Sequence, residues 1–308
     1  MISKKQVKGD VTAGSAEKDF ARKEISIHFA ELPKTKLRYA KCGEGPPVII
    51  VPATISWIED WLPMIQMMGT KFTAYFFELP GHGQSSAFTE NFSSDLVAES
   101  VEDFADYLGI DQFSLMGFSF GGILAMKTLS RLEDRIDQVI FFAPVLTKKA
   151  LLFSKARHFL LQSLIGSLKR RPIRTALSKV ATGESSSPFF ASLIRSIGKV
   201  EPNVSIESIF NKFTPHSIKT MTYQFDEILR LKIPATGRKF LMPCYFFMSV
   251  NDPMVEYHAT VKEAGMLFDD IRVKKLFFQY HQPPETPSFE EFIDLFHDFL
   301  KAQDRSAN

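Results

Sequence analysis

The sequence predicts an α/β protein: a mostly parallel, doubly wound sheet with helices on both faces and a helical block inserted into it. Three observations carry this. Short β-rich runs alternate with longer segments of helical spacing over residues 24–146, a rhythm that calls for parallel strands joined by crossover helices. One of those runs, PPVIIVPA (46–53), is continuously apolar, as a strand buried on both faces is. The rhythm lapses from about 147 to 240 and then resumes.

The elements follow in order. EISIHFAEL (24–32) and KLRYAKCG (36–43) read as two early strands able to form a hairpin, PPVIIVPA as the third strand, and IEDWLPMIQMMG (58–69) as a helix despite its Pro63. TAYFFELP (73–80) is a strand ending in the turn GHGQSS. Residues 94–109 have helical spacing, with Gly109 placed to stop the helix. QFSLMGF (112–118) is a strand, FGGILAMKTLSRL (120–132) a helix and QVIFFAPVL (138–146) a strand. After the lapse come a strand in PCYFFMSV (243–250), a helix around 257–268, a strand in VKKLFFQY (273–280) and a last helix in SFEEFIDLFHDFL (288–300). The expected organisation is a flexible leader over 1–22, a core made of 23–146 and 241–308, and a helical cap over 147–240. There is no internal repeat.

Composition bounds the function. Of 308 residues, 45% are apolar and 23% charged, ordinary values for a globular protein. A net charge of +2 is too small to argue for nucleic acid. Two cysteines are too few for a disulfide framework, which points to a reducing, cytoplasmic setting. The N-terminus has basic residues without an apolar stretch after them, unlike a signal peptide. No run approaches the ~18 apolar residues of a spanning helix. The 30 phenylalanines are far more than usual; most must fill the core, and some are available to line an apolar pocket.

LMGFSFGG (115–122) holds Ser119 between two phenylalanines and among Gly117, Gly121 and Gly122. Ser119 falls where a strand hands over to a helix. In a sharp strand-to-helix turn the central side chain is pushed out above the sheet, and residues two positions either way must lack a Cβ. The helix that follows brings its N-terminal amides and positive dipole end to the same point. A small serine in a tight packed turn would read the same way, so position matters more than the five-residue pattern G-x-S-x-G, Gly117 to Gly121, itself.

With that placement the chain resembles the α/β-hydrolase family over about 24–146 and 240–302. The resemblance makes Ser119 a nucleophile and looks downstream for an acid and then a histidine. Of the seven histidines, His28 precedes the serine, His158 and His216 lie in the inserted block, and His258 and His297 read as helical. His281, after VKKLFFQY and before the last helix, stands where the family's catalytic histidine sits. Asp252, just past the strand CYFFMSV, is the expected acid; an Asn-Asp-Pro turn is the plainer reading of it, and Asp269 and Asp270 are rivals. ELPGHGQSS resembles the family's turn after the fourth strand, with Glu78 in place of aspartate; this turn and His82 read as structural. Pro52 and Ala53 replace the family's His-Gly, which leaves the backbone N–H groups of Thr54 and Phe120 as the expected oxyanion hole. Tyr280 replaces a glycine often found before the histidine.

The resemblance implies a serine hydrolase acting on a small, apolar carboxylic ester, with no metal or organic cofactor; the serine argues against relatives that attack halides or epoxides with an aspartate. Thioester hydrolysis, carbon–carbon hydrolysis and acyl transfer use the same triad, and a non-catalytic ligand-binding protein is the alternative of another class. From Thr147 to Gly183 there are nine Lys or Arg and no Asp or Glu, with Lys169, Arg170 and Arg171 adjacent. This basic cap is either a roof with a solvated face, a site for an acidic substrate group, or a lid that touches anionic membrane. Phe189, Phe190, Phe210 and Phe213 are candidates for pocket lining or for cap packing. The oligomeric state is not readable from the sequence.

Overall fold

The computed structural model describes residues 20–54, 56–181, 215–231, 237–281 and 285–306. Most of the expected leader and the four insertion phenylalanines lie outside the described residues. Eight strands form one sheet: β1 (Ile25–Glu31), β2 (Lys36–Cys42), β3 (Pro47–Val51), β4 (Thr73–Phe77), β5 (Phe113–Phe118), β6 (Ile136–Phe142), β7 (Cys244–Ser249) and β8 (Ile271–Leu276). Their spatial order is β1-β2-β4-β3-β5-β6-β7-β8. The β1–β2 hairpin is antiparallel and meets β4 antiparallel; every pairing from β4 through β8 is parallel.

Central strands have nothing polar to present to solvent, and both faces are covered. Ile49 and Val51 of β3 point into one core, with Leu115 and Phe141; Val48 and Ile50 point into the other, with Met116 and Ile140. The first core is closed by α2 (Ser94–Leu108), α3 (Gly121–Leu132) and α7 (Tyr257–Leu267), the second by α1 (Leu62–Met68) and α8 (Phe289–Ser306). Phenylalanines do much of this packing: Phe118 stacks on Phe142 with ring centroids 5.2 Å apart, and Phe247 meets Phe296 at 4.3 Å.

Local signals fix the element ends. Ser93 caps α2 by accepting from the Leu96 amide, and Gly109 closes it in the left-handed region at φ 67°. The segment expected as one helix over 58–69 is a 3-10 turn at Ile58–Asp60 followed by α1. Pro63 thus sits in the first helical turn, where its missing N–H has no partner to lose. β8 starts and ends earlier than the expected 273–280, and residues 277–280 leave the sheet.

Between β6 and β7 lie α4 (Lys155–Leu168), α5 (Arg171–Ala181) and α6 (Pro215–Arg230). α6 is fastened to the sheet's loops through the GHGQSS turn. Gly81, at φ 88°, has no room for a Cβ beside the Thr220 hydroxyl. His82 is buried, and its Nε2 lies 3.2 Å from Gln224 Oε1, so Nε2 is the nitrogen that carries the proton and donates. The structure therefore gives His82 the structural place the sequence suggested. Burial lowers its pKa to about 4, against a small opposing effect of Gln224. A histidine whose folded pKa is depressed leaves stability intact above its ordinary value of 6.5 and removes it as pH falls from there toward 4. The unfolding free energy of the full chain, read from urea melts, is therefore expected to drop between pH 6.5 and pH 4, by about 1 kcal/mol per pH unit from this group. His82→Gln, which cannot titrate, flattens that slope; an unchanged slope would show that His82 does not set it.

Candidate active site

β5 ends at Phe118 and α3 begins at Gly121, so two residues make the turn. Ser119 occupies it at φ 52°, a left-handed conformation uncommon for a residue with a Cβ. The neighbouring chain over-determines it: the Ser119 N–H donates to Phe142 O, and the Ser119 carbonyl accepts from Gly122 and Val145. Ala143, at the end of β6, is the other described non-glycine residue with positive φ (46°). Strain of on the order of 1–3 kcal/mol persists at such a residue only when its surroundings hold it.

The glycines are there for space. A Cβ on Gly121 would stand 2.2 Å from Val51 O and 2.8 Å from Pro52 O. A Cβ on Gly117 would stand 2.6 Å from Gly121 O and 2.8 Å from the Ala125 Cβ. The obstacles at Gly121 are backbone and cannot swing aside. Gly121→Ala is therefore expected to cost about 1–3 kcal/mol or more and to separate the end of β3 from the serine turn. Thermal melts read the first effect and the rate of labelling at Ser119 the second; a variant that melts and labels like wild type would contradict this packing.

Two loops bring the partners. Ser119 Oγ lies 2.8 Å from His281 Nε2, and His281 Nδ1 lies 2.7 Å from Asp252 Oδ2. Asp252 follows β7; its other oxygen, Oδ1, accepts from the amides of Met254 at 2.8 Å and Val255 at 2.9 Å. The carboxylate is thus fixed from both ends, with its side chain 1% exposed and that of His281 8% exposed. A proton on Nδ1 directed at Asp252 leaves the Nε2 lone pair facing the serine hydroxyl. Asp269, Asp270, His28, His216, His258 and His297 do not take part in this chain of contacts; Asp270 instead pairs with Arg272.

His281 lies five residues beyond β8, not directly after a strand as expected. The reason is visible at Ser249, the last residue of β7. Its hydroxyl donates to Phe278 O at 2.6 Å, while Val250 N–H donates to Leu276 O. These bonds draw 277–280 away from the sheet and over the end of β7, next to the loop that carries Asp252. Tyr280 stacks on Phe278 at 5.1 Å, so the residue replacing the family's glycine props the same segment. Sequence reasoning missed Ser249; its one signal was a hydroxyl closing an otherwise apolar strand.

The predicted oxyanion groups sit at the same edge. Phe120 is the residue before α3, and Thr54 follows the β3 end whose carbonyls press on Gly121. Among the described residues neither amide has a hydrogen-bond acceptor. A cavity of about 20 Å³, room for about one water, adjoins His281 and Asp252 and is lined by Trp61, Phe142 and Phe292.

Residues 46–188, the stretch that holds β3 to β6 and the serine turn, match the family model of the alpha/beta hydrolase fold. The chain has the α/β-hydrolase fold. A ligand-free epoxide hydrolase of that fold superposes with a TM-score of 0.65 over 90% of this chain and 100% of its own, at 16% identity; this is a likeness of fold. Among curated proteins, the chain is 28% identical over 148 residues, 47% of its length, to the dihydrolipoyllysine-residue acetyltransferase component of an acetoin cleaving system from Cupriavidus necator. It is also 28% identical over 109 residues, 35% of its length, to N-formylmaleamate deformylase from Pseudomonas putida. The chain spans about 40% of the length of each of these curated relatives.

Proposed function

We propose that this α/β-hydrolase cleaves a carboxylic ester with an apolar acyl or alcohol part through an acyl-enzyme on Ser119. The observation that carries the reading is the continuous relay from Ser119 Oγ through His281 to Asp252, at 2.8 and 2.7 Å. A hydroxyl is a weak nucleophile at neutral pH without such a base. Ser119 Oγ attacks the acyl carbon while His281 Nε2 takes its proton, and Asp252 stabilises the imidazolium that forms. The amides of Phe120 and Thr54 receive the oxyanion. His281 then passes its proton to the leaving alcohol, and the bond between acyl carbon and alcohol oxygen breaks. Water, deprotonated by His281, attacks the acyl-serine; the acid leaves and the serine hydroxyl is restored. Thioester cleavage would change only the leaving atom, and acyl transfer only the nucleophile of the second step.

A serine-directed fluorophosphonate probe tests this. Wild type is expected to label and Ser119→Ala not to; a folded wild type that does not label would favour the non-catalytic reading. A chain-length series of p-nitrophenyl esters then ranks the acyl group.

A second proposal concerns the helices inserted between β6 and β7, which we read as the cap. Phe159, Leu160 and Leu164 of α4 are exposed, Phe159 by 71%, and Arg170 and Arg171 follow that helix on the surface. An apolar patch beside cations suits contact with an anionic membrane surface. Lys169 is less available, because it pairs with Asp226 of α6 and lies over the Tyr223 ring. Binding to anionic liposomes is expected to weaken with salt and with Arg170→Gln/Arg171→Gln, and much less with Lys169→Gln. Indifference to both treatments would remove the membrane contact.

A further inference from the structure

We infer that the chain has a second ligand site, apart from the serine, that holds an anionic amphiphile: one carboxylate or phosphate head on an aliphatic chain. It is an open cavity of about 740 Å³ between the 146–162 stretch, the end of α6 and α7. That volume lies within the range of small-molecule sites, whereas the cavity beside His281 and Asp252 has room for about one water.

The lining is amphipathic. Lys148, Lys149 and Lys155 stand around it with His158, and none of the three lysines has a carboxylate partner among the described residues. One carboxylate, Glu263, reaches the rim. His158 lies close enough to Lys148 for that charge to help depress its pKa, after the larger effect of burial. Its Nε2 is buried with no hydrogen-bond partner among the described residues, so the ring stands in the cavity wall and the lysines supply the groups that meet an anion. Lys155, His158, Phe159 and Gln162 all face the cavity, and their spacing puts them on one side of α4. Lys155 and His158 lie on its first turn, where the helix dipole favours an anion. Leu151, Phe153, Phe159 and Leu231 supply the apolar wall for the chain of the ligand.

The site borders the catalytic loops without being part of them. Leu146 and Thr147 line it, directly after Val145, whose amide donates to Ser119 O. Leu151 of the wall is tied to Val255 by a β-bridge, and the next residue by Leu152 N–H donating to Met254 O. Under the ester-hydrolase reading, the acid released by Ser119 has the chemistry this cavity selects. The identity of the ligand as a product rests on that reading; the binding does not.

Calorimetric titration of the full-length Ser119→Ala protein tests the site, with decanoate, decyl phosphate and decanol below their micellar concentrations. At least one of the two anions is expected to bind with one site per chain, at least tenfold more tightly than decanol; which anion is tighter distinguishes a fatty acid from a lipid phosphate. Lys148→Gln/Lys149→Gln/Lys155→Gln is expected to weaken the anion at least tenfold and leave decanol unchanged. The comparison of head groups needs no cavity variant, so it decides even if the triple variant folds poorly. Absence of anion binding, equal binding of decanol, or full affinity in a folded triple variant would overturn the site. Wild type inactivated at Ser119 by the fluorophosphonate is expected to bind the anion as Ser119→Ala does; loss of binding there would move the ligand to the serine. Failure of Ser119 to label would refute the hydrolase reading and leave these titrations unaffected.

Discussion

Ser119→Ala is expected to lower kcat/KM for a p-nitrophenyl ester by about 10⁴- to 10⁶-fold, and His281→Ala by a similar factor. The two groups act on one proton. Once Oγ is gone, His281 has nothing to deprotonate; once Nε2 is gone, Oγ keeps its proton at neutral pH. The double variant is therefore expected to be no slower than either single one, the non-additivity typical of residues that act as a unit. Asp252→Asn leaves the backbone bonds from Met254 and Val255 an oxygen to find, but it replaces the acceptor of the Nδ1 proton. The imidazole then favours the tautomer that turns a donor toward the serine, and a loss of about 10⁴-fold is expected. None of the three variants adds bulk, so circular dichroism should match wild type while activity does not. Losses that add up across the double variant would mean that Ser119 and His281 do not share a step.

Much of this was legible in the sequence, for identifiable reasons. The parallel sheet showed itself because strands covered on both faces cannot alternate: VIIV is apolar throughout, and FSLMGF and CYFFMS carry one serine each among residues that are all buried. The serine turn showed itself because three glycines around one hydroxyl are a packing requirement, and the clashes at Gly117 and Gly121 bear that out. Asp252 and His281 were legible through position after strands, given the family resemblance. What the sequence hid were contacts between segments far apart. The end of β8 was misplaced because LFFQY has the composition of a strand, and what peels it away is the hydroxyl of Ser249, 29 residues from Phe278. Likewise Lys169 read as one of three like cations, because its carboxylate partner, Asp226, lies 57 residues downstream. Composition marked the 147–183 stretch as basic but could not tell which apolar residues of α4 would be left exposed.

The Glu78 substitution shows how a departure from a family pattern is accommodated, and it sets the largest expected loss of stability. Glu78 is fully buried. Its Oε1 accepts from Arg38 Nη1 at 3.0 Å and, more weakly, from the Ile58 amide at 3.4 Å; its Oε2 accepts from the Gln84 amide at 2.8 Å. Gly83 closes over it, since a Cβ there would lie 2.2 Å from the carboxylate. The longer side chain therefore lies inside the turn and ties β2, the 3-10 turn after β3 and the GHGQSS loop to one point. Burial pushes the carboxyl's pKa up, and the Gln84 amide and the Arg38 charge pull it part of the way back. Arg38→Met removes that cation and leaves a buried acid without its counter-charge, which is expected to cost about 3–5 kcal/mol. For a raised acid pKa the sign is fixed. Below the unfolded value of about 4.5 the carboxyl is neutral in both states and the penalty vanishes; it grows as pH rises toward the folded value. The gap between wild type and Arg38→Met in urea midpoints should thus be widest near pH 8 and narrow toward pH 4.5. Adding Glu78→Gln to Arg38→Met removes the charge and keeps the stronger bond from the Gln84 amide, so it should restore most of the loss at pH 8. A gap that stays constant with pH, or a double variant no more stable than the single one, would mean that packing of the arginine stem, not its charge, holds this corner of the fold.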